Sequence, residues 1–156
     1  TGQIDTVATD HAPFDFKGQK EMGRGDFTKI PNGIPSVEER VHLLWSHGVV
    51  TNKIDMCRFV EVASTAAAKL FGLFPKKGSI APGADADLVL FDPNARKTIS
   101  AKTQQMNVDY SAFEGWPLSG ATDVTIVRGK VQVRGGKFVG TQDHGRMLKR
   151  DTTHFQ

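Results

Sequence analysis

The sequence holds a single cysteine, Cys57, which leaves no partner for an internal disulfide and rules out a cysteine-based zinc site. No apolar run approaches the ~20 residues that a membrane helix requires. The first residues, Thr1-Gly2-Gln3, carry neither the basic region nor the apolar stretch of a secretory signal. Together these absences set a reducing cytoplasm as the expected location and exclude membrane and disulfide-scaffold classes. There is no Walker loop, no Gly-x-Gly-x-x-Gly and no internal repeat, so the common nucleotide-binding signatures are absent. Charge of one sign is not in large excess either. The net charge is +3, and the seven basic residues between Arg128 and Arg150 lack the interleaved aromatics of a single-strand nucleic-acid surface. They read as edge-strand and tail residues, since edge strands often carry Lys, and no nucleic-acid partner is expected.

What is present is an ordinary globular composition over 156 residues, 38% hydrophobic and 24% charged, with 16 Gly and 7 Pro. Gln3 to Thr9 is a short β-prone run that stops at Asp10-His11-Ala12-Pro13-Phe14, because Pro13 cannot continue a ladder. Phe14 to Pro35 is a polar loop rich in Gly and Lys, longer than compact domains usually carry unless it is functional or disordered. Ser36 to His47 reads as a helix. Ser36 and Glu39 form a capping box, Val37, Val41, Leu44 and Trp45 make one apolar stripe, and Gly48 is the stop. Asp55 caps a second helix whose face is Met56, Phe59, Val60 and Ala63. Thr65 caps a short third one, Ala66 to Phe71, that stops at Gly72.

Beyond Gly72 the pattern turns to β. Asp87 to Phe91 is a buried-looking strand. Asp123 to Val127, Lys130 to Val133 and Lys137 to Val139 form a meander around Gly129 and Gly135-Gly136. Ser100 to Thr122 reads as irregular, anchored by Tyr110, Phe113, Trp116 and Pro117, and the tail from Thr141 is polar. The boundary falls near Leu73 to Gly78. Neither half is self-sufficient, since one strand and three helices lack a sheet to cover. With no initiator Met as well, an incomplete protein is expected.

Several residues invite chemistry. Asp10-His11 ends a strand-like run where a long loop begins, the place from which parallel α/β barrels draw catalytic groups. Asp also simply initiates turns. Pro31-Asn32-Gly33 is turn chemistry, or a rigid loop offering backbone groups to a ligand. Asp85 and Asp87 share one strand side, either as an acid/base pair or as a turn and strand start. His42 and His47 lie about 140° apart around a helix and cannot share a metal, so both are expected at the surface. His144 and His154 have no ligand spacing, Arg24-Gly25-Asp26 is a chance tripeptide, and Cys57 is expected to pack on the second helix.

Three stretches together resemble the metal-dependent amidohydrolase superfamily: Thr9-Asp10-His11-Ala12-Pro13-Phe14, Lys77 to Val89, and Asn107 to Gly115 followed by Arg128-Gly129. Phe16 to Gly33 narrows the resemblance to its dihydropyrimidinase and D-hydantoinase branch, and the likeness runs over nearly the whole chain. It departs at Ala66-Ala67, where the family has Asn-Pro, and at Ala12, where it often has Cys. The resemblance implies an α/β architecture: a C-terminal fragment of a (β/α)8 barrel joined to part of a β-sandwich. Thr6 to Thr9 would be the last barrel strand, followed by the longer helices. Residues 1–73 would be barrel end, 74–140 sandwich and 141–156 a polar tail.

The resemblance further implies a hydrolase that opens the ring of hydantoins or dihydropyrimidines. The enzyme would act as a homotetramer with two divalent ions, zinc in most members, bridged by a carboxylated lysine absent from this chain. Asp10 would ligate one metal and carry the proton to the leaving nitrogen, and Asn32 would hold the small cyclic diamide through its backbone. The missing ligands predict an inactive chain on its own, with apolar surface exposed where barrel strands should pack. Allantoinase and dihydroorotase are sibling alternatives, against which the Phe16 to Gly33 loop argues. The non-catalytic neuronal collapsin-response mediators are a third, and they lose the metal aspartate that Asp10 retains.

Overall fold

A computed structural model describes residues 2–153, so Thr1 and His154 lie outside the described residues. Strands β1 (Leu88–Thr98), β2 (Pro117–Val127), β3 (Lys130–Arg134) and β4 (Lys137–Phe138) form one antiparallel sheet in the order β1-β2-β3-β4. The meander follows from its turns. Arg128 and Gly129 both have positive φ, as do Gly135 and Gly136, which is the backbone of the tight hairpin turns that match strand twist. β1 and β2 are longer than expected. Pro117 to Thr122, expected to be irregular, pairs with Phe91 to Thr98 through register shifts at Leu90/Phe91 and Asp92/Arg96. Those irregularities break the period-2 pattern that would have revealed the strand.

The helices also differ in their ends. α1 (Arg40–Leu44) widens into a π-helical turn, Trp45–Val49, which carries the chain through Gly48. The left-handed residue is Asn52, not Gly48. Gly48 instead makes room for Ile54, whose Cδ1 would lie 3.0 Å from a Cβ there. α2 (Met56–Val60) starts as expected, with the Asp55 side chain accepting from the Arg58 N–H at 2.7 Å. It does not stop before Thr65. A second π-helical turn, Glu61–Thr65, joins it to α3 (Ala66–Leu70), so the second and third helices are one run. Thr65 is helical, and its hydroxyl donates to the Gly78 carbonyl at 2.8 Å rather than capping. Gly72, at φ +65°, ends the run as expected.

Helices and sheet meet at α1 and β2. Trp45 packs against Phe59 and Phe91 with ring centroids 5.6 and 5.0 Å apart. The Ser46 hydroxyl donates to the Ser119 carbonyl and accepts from the Ser119 N–H, both at 3.0 Å. Gly120, at φ +82°, lies against this aromatic group; a Cβ would sit 2.5 Å from Phe91 Cε1 and 2.8 Å from Trp45 Nε1. His42 is half-buried here and not at the surface. Its Nδ1 donates to the Glu38 carbonyl at 2.9 Å and its Nε2 accepts from the Thr122 N–H at 3.1 Å. Cys57 sits on α2 but is exposed, since nothing among the described residues covers it.

Much of the apolar surface is uncovered. Val62, Ala66, Ala68, Ile99, Leu118 and Val124 form the buried hydrophobic core, whereas Ile4, Val37, Met56 and Val60 are each more than half exposed. The total accessible surface is 10891 Å² for 17.0 kDa, against about 7,700 Å² for a compact monomer of that mass. Gln3 to Thr9 forms no strand among the described residues. A strand needs a neighbour for its ladder, and this segment bonds mainly to helices: the Val7 N–H donates to the Val62 carbonyl at 3.0 Å, and Arg40 Nη1 donates to the Val7 carbonyl at 2.8 Å. The tail returns to the end of α3, where the Asp151 N–H donates to the Gly72 carbonyl at 2.9 Å.

Candidate functional site

Asp10 stands where the N-terminal segment turns, and its backbone is left-handed at φ +46°. That conformation is costly for a residue with a Cβ, though least so for Asp and Asn, and it recurs at functional sites. The side chain is exposed and accepts no hydrogen bond among the described residues. His11, next in the chain, serves the local structure. Its Nδ1 accepts the N–H groups of Ser36 and Val37 at 3.1 and 3.3 Å. It thereby satisfies donors ahead of α1, the task expected of Ser36. The Ser36 hydroxyl donates instead to the Thr9 carbonyl at 3.3 Å. Glu39, the other half of the expected capping box, is buried and accepts from Gln104 Nε2 at 2.6 Å and from the Ser111 hydroxyl at 2.9 Å.

The backbone brings the turn that carries Asn32 against the segment that carries Asp10. His11 and Ile34 form an isolated parallel bridge, and the Ala12 N–H donates to the Ile34 carbonyl at 3.3 Å. Gly33, at φ +113°, lies so close to Ala12 that a Cβ would be 2.4 Å from Ala12 Cβ. The Pro31-Asn32-Gly33 turn is therefore fixed along the Asp10-His11-Ala12 segment. Lys20, to which the sequence assigned no role, holds the turn from both sides, its ammonium donating to the carbonyls of Pro31 and Gly33. It also lies 5.2 Å from the centroid of the Phe14 ring. Among the described residues the Asn32 N–H and carbonyl have no partner, and the residue is exposed.

The long loop is ordered around these contacts. It folds into two 3₁₀ turns, Lys20–Gly23 and Phe27–Lys29. Gly23 is packed on Ile30, whose Cγ1 would lie 2.0 Å from an added Cβ. Its start is anchored by Asp109, which accepts the N–H groups of Phe16 and Lys17 at 2.6 and 3.0 Å. The Lys17 and Phe16 amides, in that order, hold the Asp109 carboxyl below its ordinary range. Tyr110 meets Phe16 edge to face at 5.9 Å. The Asn107 to Gly115 stretch therefore works as a brace, with Asp109 and Tyr110 on the loop and Ser111 on Glu39. The Arg24-Gly25-Asp26 tripeptide is local structure, Asp26 accepting the Thr28 N–H at 3.1 Å.

Asp85 and Asp87 belong to another cluster. Lys77 pairs with both, and Lys76 reaches Asp85 at 3.0 Å. Asp87 also accepts the Arg128 N–H at 2.8 Å, tying the start of β1 to the β2–β3 turn. Hydrogen bonds from Lys77 and then Lys76 lower the Asp85 pKa, so this is a strand-start ion cluster and not an acid/base pair.

Among the described residues no three His, Cys, Asp or Glu side chains come together to hold a metal ion. Asp10 fits as a single carboxylate ligand, free and exposed. His11 does not add a second through Nδ1, which is occupied by backbone donors. No helix among the described residues is long and apolar enough to cross a membrane.

Residues 1–132 match the Amidohydrolase family. A D-hydantoinase of Geobacillus stearothermophilus is 54% identical over 149 residues, which are 96% of this chain and 32% of that protein. A dihydropyrimidinase of Rattus norvegicus is 48% identical over 96% of this chain and 28% of its own length. A solved structure of a D-hydantoinase (dihydropyrimidinase) from Thermus sp. superimposes with a TM-score of 0.93 at 56% identity, over 99% of this chain and 33% of that one. The chain thus spans about a third of the length of the relatives it matches, and over that third it shares their α/β fold.

Proposed function

We propose that this chain, which belongs to the amidohydrolase family, is the C-terminal portion of a cyclic amide hydrolase that opens hydantoins or dihydropyrimidines. The observation that supports the reading is the parallel contact between the segment that carries Asp10 and the one that carries Asn32, made by the His11–Ile34 bridge and the Ala12 N–H to Ile34 carbonyl bond. The Asn32 backbone N–H and C=O, without partners among the described residues, match the alternating N–H and C=O edge of a cyclic diamide. The carboxylate of Asp10 is the proton carrier: it takes a proton from the attacking water and delivers it to the ring nitrogen as the C–N bond breaks. The relatives named above, hydantoinases and a dihydropyrimidinase, support this substrate class.

In this reading residues 6–9 are the last strand of a (β/α)8 barrel in the intact protein, residues up to 73 its closing helices, residues 74–140 a share of a β-sandwich and the remainder a tail. The unpaired N-terminal segment and the surface in excess of a compact monomer are what such a piece would show. Asp10 would hold one of two divalent ions, zinc by family habit, with a carboxylated lysine and histidines contributed by sequence outside this chain. Such a metal pair supplies an activated water and polarises the ring carbonyl. A homotetramer is the assembly proposed.

The test is to purify the intact protein and follow ring opening of hydantoin and dihydrouracil, with N-carbamoyl amino acids as products. Turnover of either supports the reading, and inertness toward both, with metal restored, overturns it.

A further inference from the structure

One cation takes both carbonyls that flank Asn32. Lys20 Nζ donates to Pro31 O and to Gly33 O, and neither carbonyl has another donor among the described residues. The ammonium arises from the first 3₁₀ turn of the loop, whose Lys20 N–H is itself bonded to the Asp15 carbonyl at 3.1 Å. Asp15 follows directly on Phe14, whose ring the same ammonium faces. Lys20 therefore joins the segment that carries Asp10 to the turn that carries Asn32. In a trans peptide the N–H points opposite its carbonyl, so drawing the Pro31 carbonyl to the cation turns the Asn32 N–H away from it. A half-buried ammonium with three donors is suited to this, since a charged donor binds carbonyl oxygens more strongly than a neutral one of similar length.

We propose that Lys20 is a positioning residue that fixes the orientation of the Asn32 peptide and so sets affinity for the cyclic diamide. The inference rests on the hydrolase reading for its substrate, but the clamp itself is a property of this chain. Lys20 does not touch the reacting atoms. Its loss frees the Pro31-Asn32-Gly33 turn and weakens binding while leaving the proton transfer at Asp10 in place. A contact used equally in ground and transition states appears in KM and not in kcat.

The experiment compares Lys20→Met and Lys20→Arg with the parent in the intact protein, by steady-state kinetics with dihydrouracil and by amide hydrogen exchange. Lys20→Met is expected to raise KM about tenfold with kcat within about threefold, and to speed exchange at residues 32–34. Lys20→Arg, which keeps a cation and several donors, is expected to stay within about threefold of the parent KM. If Lys20→Met does not fold, Lys20→Gln is read by the same two measurements. Unchanged KM with unchanged exchange overturns the proposal, as does a fall in kcat at constant KM. If the intact protein opens no cyclic diamide, the substrate reading fails, and exchange alone decides the clamp: faster exchange at 32–34 in Lys20→Met upholds it and parent-like exchange overturns it.

Discussion

Gly33 sits on Ala12 with no room for a side chain: a Cβ there would lie 2.4 Å from Ala12 Cβ and 2.6 Å from the Ala12 carbonyl oxygen, at a φ of +113°. This contact sets the distance between the Asp10 and Asn32 segments. Gly33→Ala must both strain the backbone and push the turn away from Ala12. A loss of about 2–3 kcal/mol in stability is expected, with a raised KM in the intact protein. Urea unfolding and steady-state kinetics check both, and a variant matching the parent in each would show that the contact is not formed.

His42 links α1 to β2 as a neutral ring, donating through Nδ1 and accepting through Nε2. Burial, the largest cause, lowers its pKa below 6.5. In the window between the folded value and 6.5 the unfolded chain binds more protons. Its contribution to stability is therefore full above about pH 6.5 and lost as pH falls through the folded pKa. Thermal unfolding between pH 7.5 and 5 should show this fall, and His42→Gln should flatten it. Equal slopes for the two proteins would contradict the assignment.

Glu39 is fully buried, and its Oε1 accepts from both Gln104 and Ser111. Glu39→Ala leaves the buried Ser111 hydroxyl and the half-buried Gln104 amide without their partner and should cost about 2–4 kcal/mol. Glu39→Gln, which keeps the shape and an acceptor, should cost less. Denaturant melts of both variants check the order, and Glu39→Gln proving the worse would contradict it.

Gly120 is the close approach between β2 and the aromatic group, so Gly120→Ala drives a methyl into Phe91 and Trp45 at a left-handed position. About 2–3 kcal/mol of destabilisation is expected. A melting temperature equal to the parent's would mean that β2 can shift freely.

How much of this was legible beforehand differs by element. The β2–β3–β4 meander was readable because glycine fixes each hairpin turn and the strands between alternate. The Asp55 cap was readable because its partner, the Arg58 N–H, is three residues away. What could not be read depends on distant partners. Ser36 looked like a cap, but His11, 25 residues earlier, takes the N–H groups that a cap would take. Glu39 looked like the other half of that cap, but its carboxylate accepts instead from Gln104 and Ser111. Pro117 to Thr122 looked irregular because bulges in β1 break the alternation across from it. At the site, Asp10 and Asn32 stood out through local motifs. Lys20 did not, since its role exists only once the loop has folded back on the Pro31-Asn32-Gly33 turn.

The most direct measurement is the rate at which the intact protein opens dihydrouracil and hydantoin, taken with Asp10→Ala beside the parent. Turnover by the parent and a drop of at least about a hundredfold in the variant are expected, since removal of a proton carrier alone costs about 10²–10⁴. A variant that opens either ring at the parent rate would contradict the central claim.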